Sequence, residues 1–384
     1  MSIPKRIFLS SSIALVAVLM LWGIYNLSFK KPVAEQAAAP APKQQAEVAA
    51  TAPQTKTAAQ SQIFAISDEP ILSPALSADG QSIEYYSKTT GQAYRVDLDG
   101  TNKQALSTSN LVGLADIQWS PDKSKVLSKF KQGDHASFSM YDYAQLKGSG
   151  LSPNILNIAW NQNNKIFYEY FDPKSKLDTL NIANPDGSSW NKIIDLPFQN
   201  VSIAPIPKTG LVSFWNKPDS FTETLMQSAP VIGGEKKDLL KGKFGADYLW
   251  SPDGNNILVS HAADKGSSKI QLALLNSLGG EYQNLDIPTF VSKCAWSKNN
   301  KLVYYALPGA IPDGTVLPND YNNSKFNTAD TFWKVDTTSK APARLIELNK
   351  ITGQYDAIRL FLNTDESMLF FVNRTDGKLY RMNI

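Results

Sequence analysis

The chain has 384 residues, 42% of them hydrophobic and 19% charged, a balance that belongs to a globular body and excludes wholesale disorder. A single cysteine excludes an internal disulfide framework and any cysteine-built zinc cluster, and two histidines leave little for histidine catalysis. Six of the 38 basic and two of the 35 acidic residues precede Ile63, so the remainder holds 32 and 33, a net charge of −1 without the basic footprint of nucleic-acid binding.

Residues 1–6, with Lys5 and Arg6, are read as a short cytoplasmic end. Residues 7–29 carry no charge and are mostly apolar, with Trp22 and Tyr25 toward the exit end, where an interfacial aromatic is favourable. As a helix this segment reaches roughly 34 Å, enough for a ~30 Å hydrocarbon core. The expectation is a transmembrane signal anchor. A cleaved secretory signal is the alternative, but such apolar regions are usually shorter and end in small residues, whereas Gly23 to Phe29 is bulky. Two basic residues on each side (Lys30 and Lys31 follow) discriminate orientation little. The free amino terminus tilts the reading toward an inside N-terminus, with the rest of the chain extracytoplasmic at the cell membrane.

Residues 30–61 form the expected linker. From 32 to 62 the chain holds eleven Ala, six Gln and four Pro with no Gly or aromatic. Such a stretch cannot bury enough apolar surface to offset its ordering entropy. Its ends would lie roughly 30 Å apart as a flexible coil.

From residue 62 to 384 the sequence repeats. Trp119-Ser120-Pro121-Asp122-Lys123 recurs as Trp250-Ser251-Pro252-Asp253-Gly254, with degenerate copies starting at Leu76, Trp160, Trp296 and Leu362 and a weak one at Ala204. These anchors step by 43, 41, 44, 46, 46 and 66 residues. Each ends a short apolar stretch and opens a corner, in which Pro presets φ and Asp, Asn or Gly suits the tight turn. An alternating strand follows (Ile83 and Tyr85, or Ile257 and Val259), then a third and a shorter fourth. Four antiparallel strands per unit of about 45 residues make a propeller blade. The bulky anchors Leu76, Trp119, Trp160, Trp250, Trp296 and Leu362 are expected to pack between blades, because one sheet cannot bury both of its faces alone.

The Trp-Ser-Pro-Asp-Gly units resemble the TolB-type, WD-like propeller repeats, which also occur in relatives of prolyl oligopeptidase. The resemblance implies the fold over roughly residues 71–384. It carries no activity, partner or site residue. TolB proteins have a cleaved signal and an amino-terminal α/β domain, in place of which this chain has an anchor and a spacer. The Gly-x-Ser-x-Gly elbow of the oligopeptidase hydrolase domain is not found.

The fold class is therefore all-β, a propeller of seven four-stranded blades, with six or eight left open by the weak fourth unit and the long last step. The last unit lacks a fourth strand, and Gln62 to Ile66 is expected to supply it and close the ring. The long step places residues 308–330 between a second strand ending near Leu307 and a third starting at Thr331. Long loops there are often functional, and a tolerated insertion is the plainer reading.

Chemistry is faint. Asp134 and His135 in the second unit and His261 and Asp264 in the fifth are read as matching loop positions facing one end, together with Asp313, Asp320 and Tyr321 of the long insertion. These are candidate binding residues, with solvated loop as the plainer reading. Cys294 reads as a buried, inert thiol. The corner Asp and Asn lack the alternating spacing of a calcium loop and read as turn chemistry. No catalytic set, metal or cofactor is indicated. Trp190, Trp215 and Trp333 lie off the anchors and suit either sugar stacking or core.

The reading that follows is a non-enzymatic scaffold tethered in a bacterial cell envelope, binding an envelope protein, peptide or other ligand and no nucleic acid. The alternative is a propeller lyase or hydrolase acting on polysaccharide or lactone, with carboxylates or a metal in the central funnel.

Overall fold

The computed structural model describes residues 62–133 and 135–384. The segment 7–29 expected to anchor the chain, the expected linker 30–61 and Asp134 lie outside the described residues. Among those described, no helix is long and apolar enough to cross a membrane.

Seven antiparallel four-stranded sheets form the body, each built from strands in sequence order except the last. Blades 1 to 6 span residues 71–105, 114–150, 155–195, 201–244, 247–287 and 294–344. Blade 7 combines residues 357–383 with the strand Ile63–Ala65, which pairs with Leu379–Asn383 through Ile63↔Met382, Phe64↔Arg381 and Ala65↔Tyr380. The segment before the first repeat thus closes the ring as the sequence predicts.

The corner chemistry explains why the repeat is legible. In blade 2, Ser120 Oγ donates to Asp122 Oδ1 at 2.7 Å and accepts Lys125 N at 2.9 Å. In blade 5, Ser251 repeats both bonds with Asp253 and Asn256 at 2.6 and 3.0 Å. The fourth residue after every anchor has a left-handed backbone: Gly80, Lys123, Asn164, Lys208, Gly254, Asn300 and Glu366, with φ between 54 and 74°. Lys208 places the weak fourth unit in the same register as the others. At Gly254 a side chain is also barred by space, since a Cβ would lie 2.2 Å from Pro207 O of the preceding blade.

The core sits between blades. Second strands are buried on both faces: Ile83 and Tyr85 of blade 1 pack with Phe370 and Val372 of blade 7, whereas Tyr86 packs with Ile117 and Val126 of blade 2. Separate apolar clusters fill the other interfaces in the same way. The anchor indoles join neighbours directly. Trp119 Nε1 donates to Ser73 O, Trp160 Nε1 to Gln118 O and Trp250 Nε1 to Ser213 Oγ, each at 2.8–2.9 Å and each in the preceding blade. Trp296 Nε1 reaches Leu249 O at 3.4 Å. Burial with a satisfied N–H suits tryptophan in such seams. Leu76 and Leu362 take part in the blade 7–blade 1 and blade 6–blade 7 interfaces.

Candidate binding groove, channel and insertion

The insertion of blade 6 is built into the fold rather than hanging from it. It runs from Leu307 to Thr331 and contains a one-turn helix, Asn319–Asn322. Leu317 and Tyr321 pack against Phe290 and Ile270, with Tyr321 stacked on Phe290 at 4.5 Å between ring centres. Beneath Tyr321 lies Lys293, completely buried at the end of a short 3-10 turn. Its ammonium contacts Asp330 Oδ2 at 2.6 Å and Asp356 Oδ1 at 2.7 Å, and donates to Thr328 Oγ1 at 3.1 Å. Tyr321 OH also donates to Asp356 Oδ1, and the Arg374 guanidinium lies 4.2 Å from the Tyr321 ring centre. Burial pulls the Asp356 carboxyl upward, but Lys293 and three hydrogen bonds outweigh it and hold the group below the usual range. Burial wins at Asp330, whose Oδ1 has no partner, and raises it. Burial also raises Tyr321.

Of the insertion residues singled out in the sequence, only Tyr321 enters this network. Asp320 pairs with Lys325 at 2.6 Å and caps Val316 N, and Asp313 is exposed. Lys293, Asp330, Asp356 and Arg374 carry no local signal, because buried ionic residues look like surface ones in a sequence.

The two histidines do not occupy matching loops. His135 begins the third strand of blade 2, whereas His261 lies within the second strand of blade 5, Asn256–Ala262, and is buried. The loop reading of His261 is therefore corrected, since the strand runs further than its periodicity suggested. Its ring is held by Ala262 O at 2.7 Å and Tyr282 OH at 2.6 Å. Asp264 stands exposed in the following turn. Burial holds His261 below its ordinary pKa, with Lys243 adding to this and the Ala262 bond opposing it. A depressed folded value means that stability is present above the unfolded pKa of about 6.5 and is lost as pH falls through the folded one. His261→Gln, which keeps a partner for Tyr282, is expected to flatten the decline in melting temperature between about pH 7 and pH 5. A decline as steep as that of the parent chain would show that His261 does not drive it.

Cys294 is buried and its thiol is raised by desolvation, as an inert core residue requires. Trp215 is buried against Tyr248, Trp333 is half-buried under Arg344, and Trp190 is exposed.

The first strands of the sheets meet around the axis, and there Ser73, Asp116 and Arg359 converge from blades 1, 2 and 7. Ser73 Oγ donates to Asp116 Oδ1 at 2.9 Å, and Arg359 donates to Ser73 Oγ at 2.6 Å and Asp116 Oδ1 at 2.9 Å. Ser73 and Arg359 have left-handed φ of 47 and 54° at irregularities of their strands, a costly geometry that aims side chains off the ladder.

A groove of about 920 Å³ runs along blade 3. Its floor is one sheet face, in which Tyr168, Tyr170 and Asp172 stand opposite Asn181, Thr179 and Leu177. Lys192 and Asp195 continue it on the fourth strand, and Trp190 stands at one end. The neighbouring edge strand of blade 2, Lys147-Gly148-Ser149-Gly150, turns Lys147 and Ser149 to this face, whereas Gly148 and Gly150 pair with Tyr141 and Ser139 on the face toward blade 1.

Among the described residues no group of three or more His, Cys, Asp or Glu gathers as a metal site. No family model and no curated protein matches the chain. Solved structures do match. An oligogalacturonate lyase in complex with manganese aligns at 13% identity and TM-score 0.60 over 84% of this chain and 93% of its own. The propeller domain of the Trilobed protease from Pyrococcus furiosus, described as having an open velcro topology, aligns at 13% identity and TM-score 0.54 over 83% and 94%. TolB from Acinetobacter baumannii aligns at 13% identity and TM-score 0.44 over 71% and 62%. At these identities the likeness is one of fold: the chain is a seven-bladed propeller similar in architecture to lyase and protease propellers, and it differs from an open ring in its paired strand Ile63–Ala65.

Proposed function

We propose that the chain is a membrane-tethered, extracytoplasmic β-propeller that acts as a non-enzymatic binding scaffold in the cell envelope, taking an envelope protein, peptide or other ligand along blade 3. The observation that carries the reading is the groove. It joins an aromatic floor to isolated polar groups, the mixture that lets apolar contact supply affinity and hydrogen bonds supply orientation. The uncharged segment 7–29 and the linker support the tether. The alternative, a lyase or hydrolase acting on polysaccharide or lactone in the funnel, draws on the Ser73–Asp116–Arg359 cluster. There the carboxylate is already engaged by a guanidinium and a hydroxyl, which suits holding a polar group better than taking a proton.

A photo-crosslinking residue in place of Tyr170 is expected to trap a discrete adduct in intact cells. Leu177→Glu, which puts a charge in place of an exposed apolar lining residue of the groove, is expected to abolish that adduct without changing the melt. An adduct undiminished by Leu177→Glu, or none from Tyr170, would overturn the groove as the binding surface. A stoichiometric metal retained after dialysis would favour the enzyme reading.

A further inference from the structure

Two side chains in the floor of the blade 3 groove are almost wholly buried, yet each keeps a polar atom without a partner. Tyr168 is 6% exposed, and its hydroxyl makes no hydrogen bond among the described residues. Opposite it in the register stands Asn181, 2% exposed, whose amide nitrogen donates to Thr179 O at 3.1 Å and to Thr179 Oγ1 at 2.9 Å. Those two bonds fix the orientation of the amide and leave Asn181 Oδ1 free to accept. Neither free atom is sealed in the interior, so both open on the groove that the two residues line. Two residues along the same strand face, Tyr170 OH accepts a bond from Asn154 Nδ2 at 3.4 Å and keeps its own proton to donate. Buried polar groups are nearly always satisfied, so a donor and an acceptor left free side by side point to a ligand.

The chemistry of these groups selects what they hold. They are uncharged, and burial pushes the Tyr168 phenol up to about 12, so it keeps its proton near neutral pH. The ionic groups around the groove are answered within the chain: Lys192 pairs with Asp195 at 3.0 Å, and Asp172 and Asp186 accept from the hydroxyls of Ser175 and Ser188 at 2.7 Å. Lys147, Lys174 and Lys192 balance Asp172, Asp186 and Asp195, so no net charge selects an ionic ligand. An extended peptide needs an open strand edge to pair with, whereas the floor is the face of two strands that are each paired on both sides. What remains is aromatic surface and neutral hydrogen-bonding groups, with the indole of Trp190, 62% exposed, at one end. A sugar ring has the complementary build: hydroxyls that both donate and accept, and a face of C–H bonds that lies against an aromatic ring.

We propose that the blade 3 groove binds a neutral oligosaccharide, with one sugar ring stacked on Trp190 and hydroxyls of the chain bonded to Tyr168 OH and Asn181 Oδ1. The inference rests on the reading of the groove as the binding surface. A volume of about 920 Å³ lies at the upper end of the range for small-ligand sites, which suits a short chain of sugars better than a single one.

The test has two arms. In cells, the adduct trapped by the photo-crosslinking residue at position 170 is analysed by mass spectrometry, and the expected mass is that of neutral sugar residues. A peptide or protein adduct overturns the saccharide and leaves the groove as the binding surface, whereas the lack of any adduct overturns both. In solution, the full chain, purified in a detergent without a sugar head group, is presented with a panel of neutral, amino and acidic oligosaccharides. Binding of a neutral member is expected, weakened about tenfold by Tyr168→Phe and by Trp190→Ala. Neither substitution should change the melt, because the hydroxyl removed has no partner in the chain and the indole removed is exposed. Binding confined to charged members, binding left unchanged by either substitution, or binding of no member overturns the proposal.

Discussion

Deleting residues 61–67 is expected to cost about 4–8 kcal/mol, because Ile63 and Ile66 are both buried and each large-to-small loss in a core is worth roughly 2–4 kcal/mol. The deletion also removes three register pairs, the bond from Ile66 N to Leu379 O at 2.8 Å and that from Leu379 N to Ser67 Oγ at 2.9 Å. What remains is a bare strand, Leu379–Asn383, between two blades that must still meet. A fall in melting temperature of roughly 10 °C or more follows from that loss. An edge exposed in this way also invites pairing between chains, so the deletion variant should associate on warming. Scanning calorimetry of the two proteins checks both expectations, and an unchanged melt would mean that the strand closes nothing.

Lys293→Met should be nearly as damaging. The substitution keeps the volume but leaves two buried carboxylates facing each other without their cation, and breaking a buried pair in this way costs about 3–5 kcal/mol. By contrast, the exposed pair Lys192–Asp195 should be worth less than about 1 kcal/mol. Adding Asp330→Asn and Asp356→Asn to Lys293→Met removes the stranded charges and should recover part of the loss. The insertion should loosen as well, since Tyr321 depends on the same cluster. Urea unfolding together with limited proteolysis of residues 308–330 measures both effects, and a neutral single substitution would contradict a charged network. The pH response has a defined sign at Asp356: its lowered value contributes stability that is present above the unfolded pKa of about 3.9 and is lost as pH falls through the folded one.

The architecture could be read from the chain because its signals are local. Ser120, Pro121 and Asp122 form a corner with their own neighbours, so the same short string recurs wherever a first strand ends. Closure was equally legible, since a last unit one strand short and a spare strand before the first leave few arrangements. Function was less so, for physical reasons. Lys293, Asp330, Asp356 and Arg374 meet only after two blades and an insertion have assembled, and nothing adjacent to them marks them as buried. The blade 3 groove gathers Leu151, Tyr170 and Trp190 from separate strands and turns, a convergence that a motif search passes over. His261 was displaced from loop to strand because the second strand of blade 5 runs on to Ala262.

One labelling experiment bears most directly on a propeller tethered outside the membrane. Ala50→Cys puts a thiol in the linker, and Cys294, buried and raised in pKa, gives no competing signal. A membrane-impermeant maleimide added to intact cells should label position 50 on a chain recovered in the membrane fraction. Labelling that requires permeabilised cells would place the propeller on the other side and contradict the tethered scaffold.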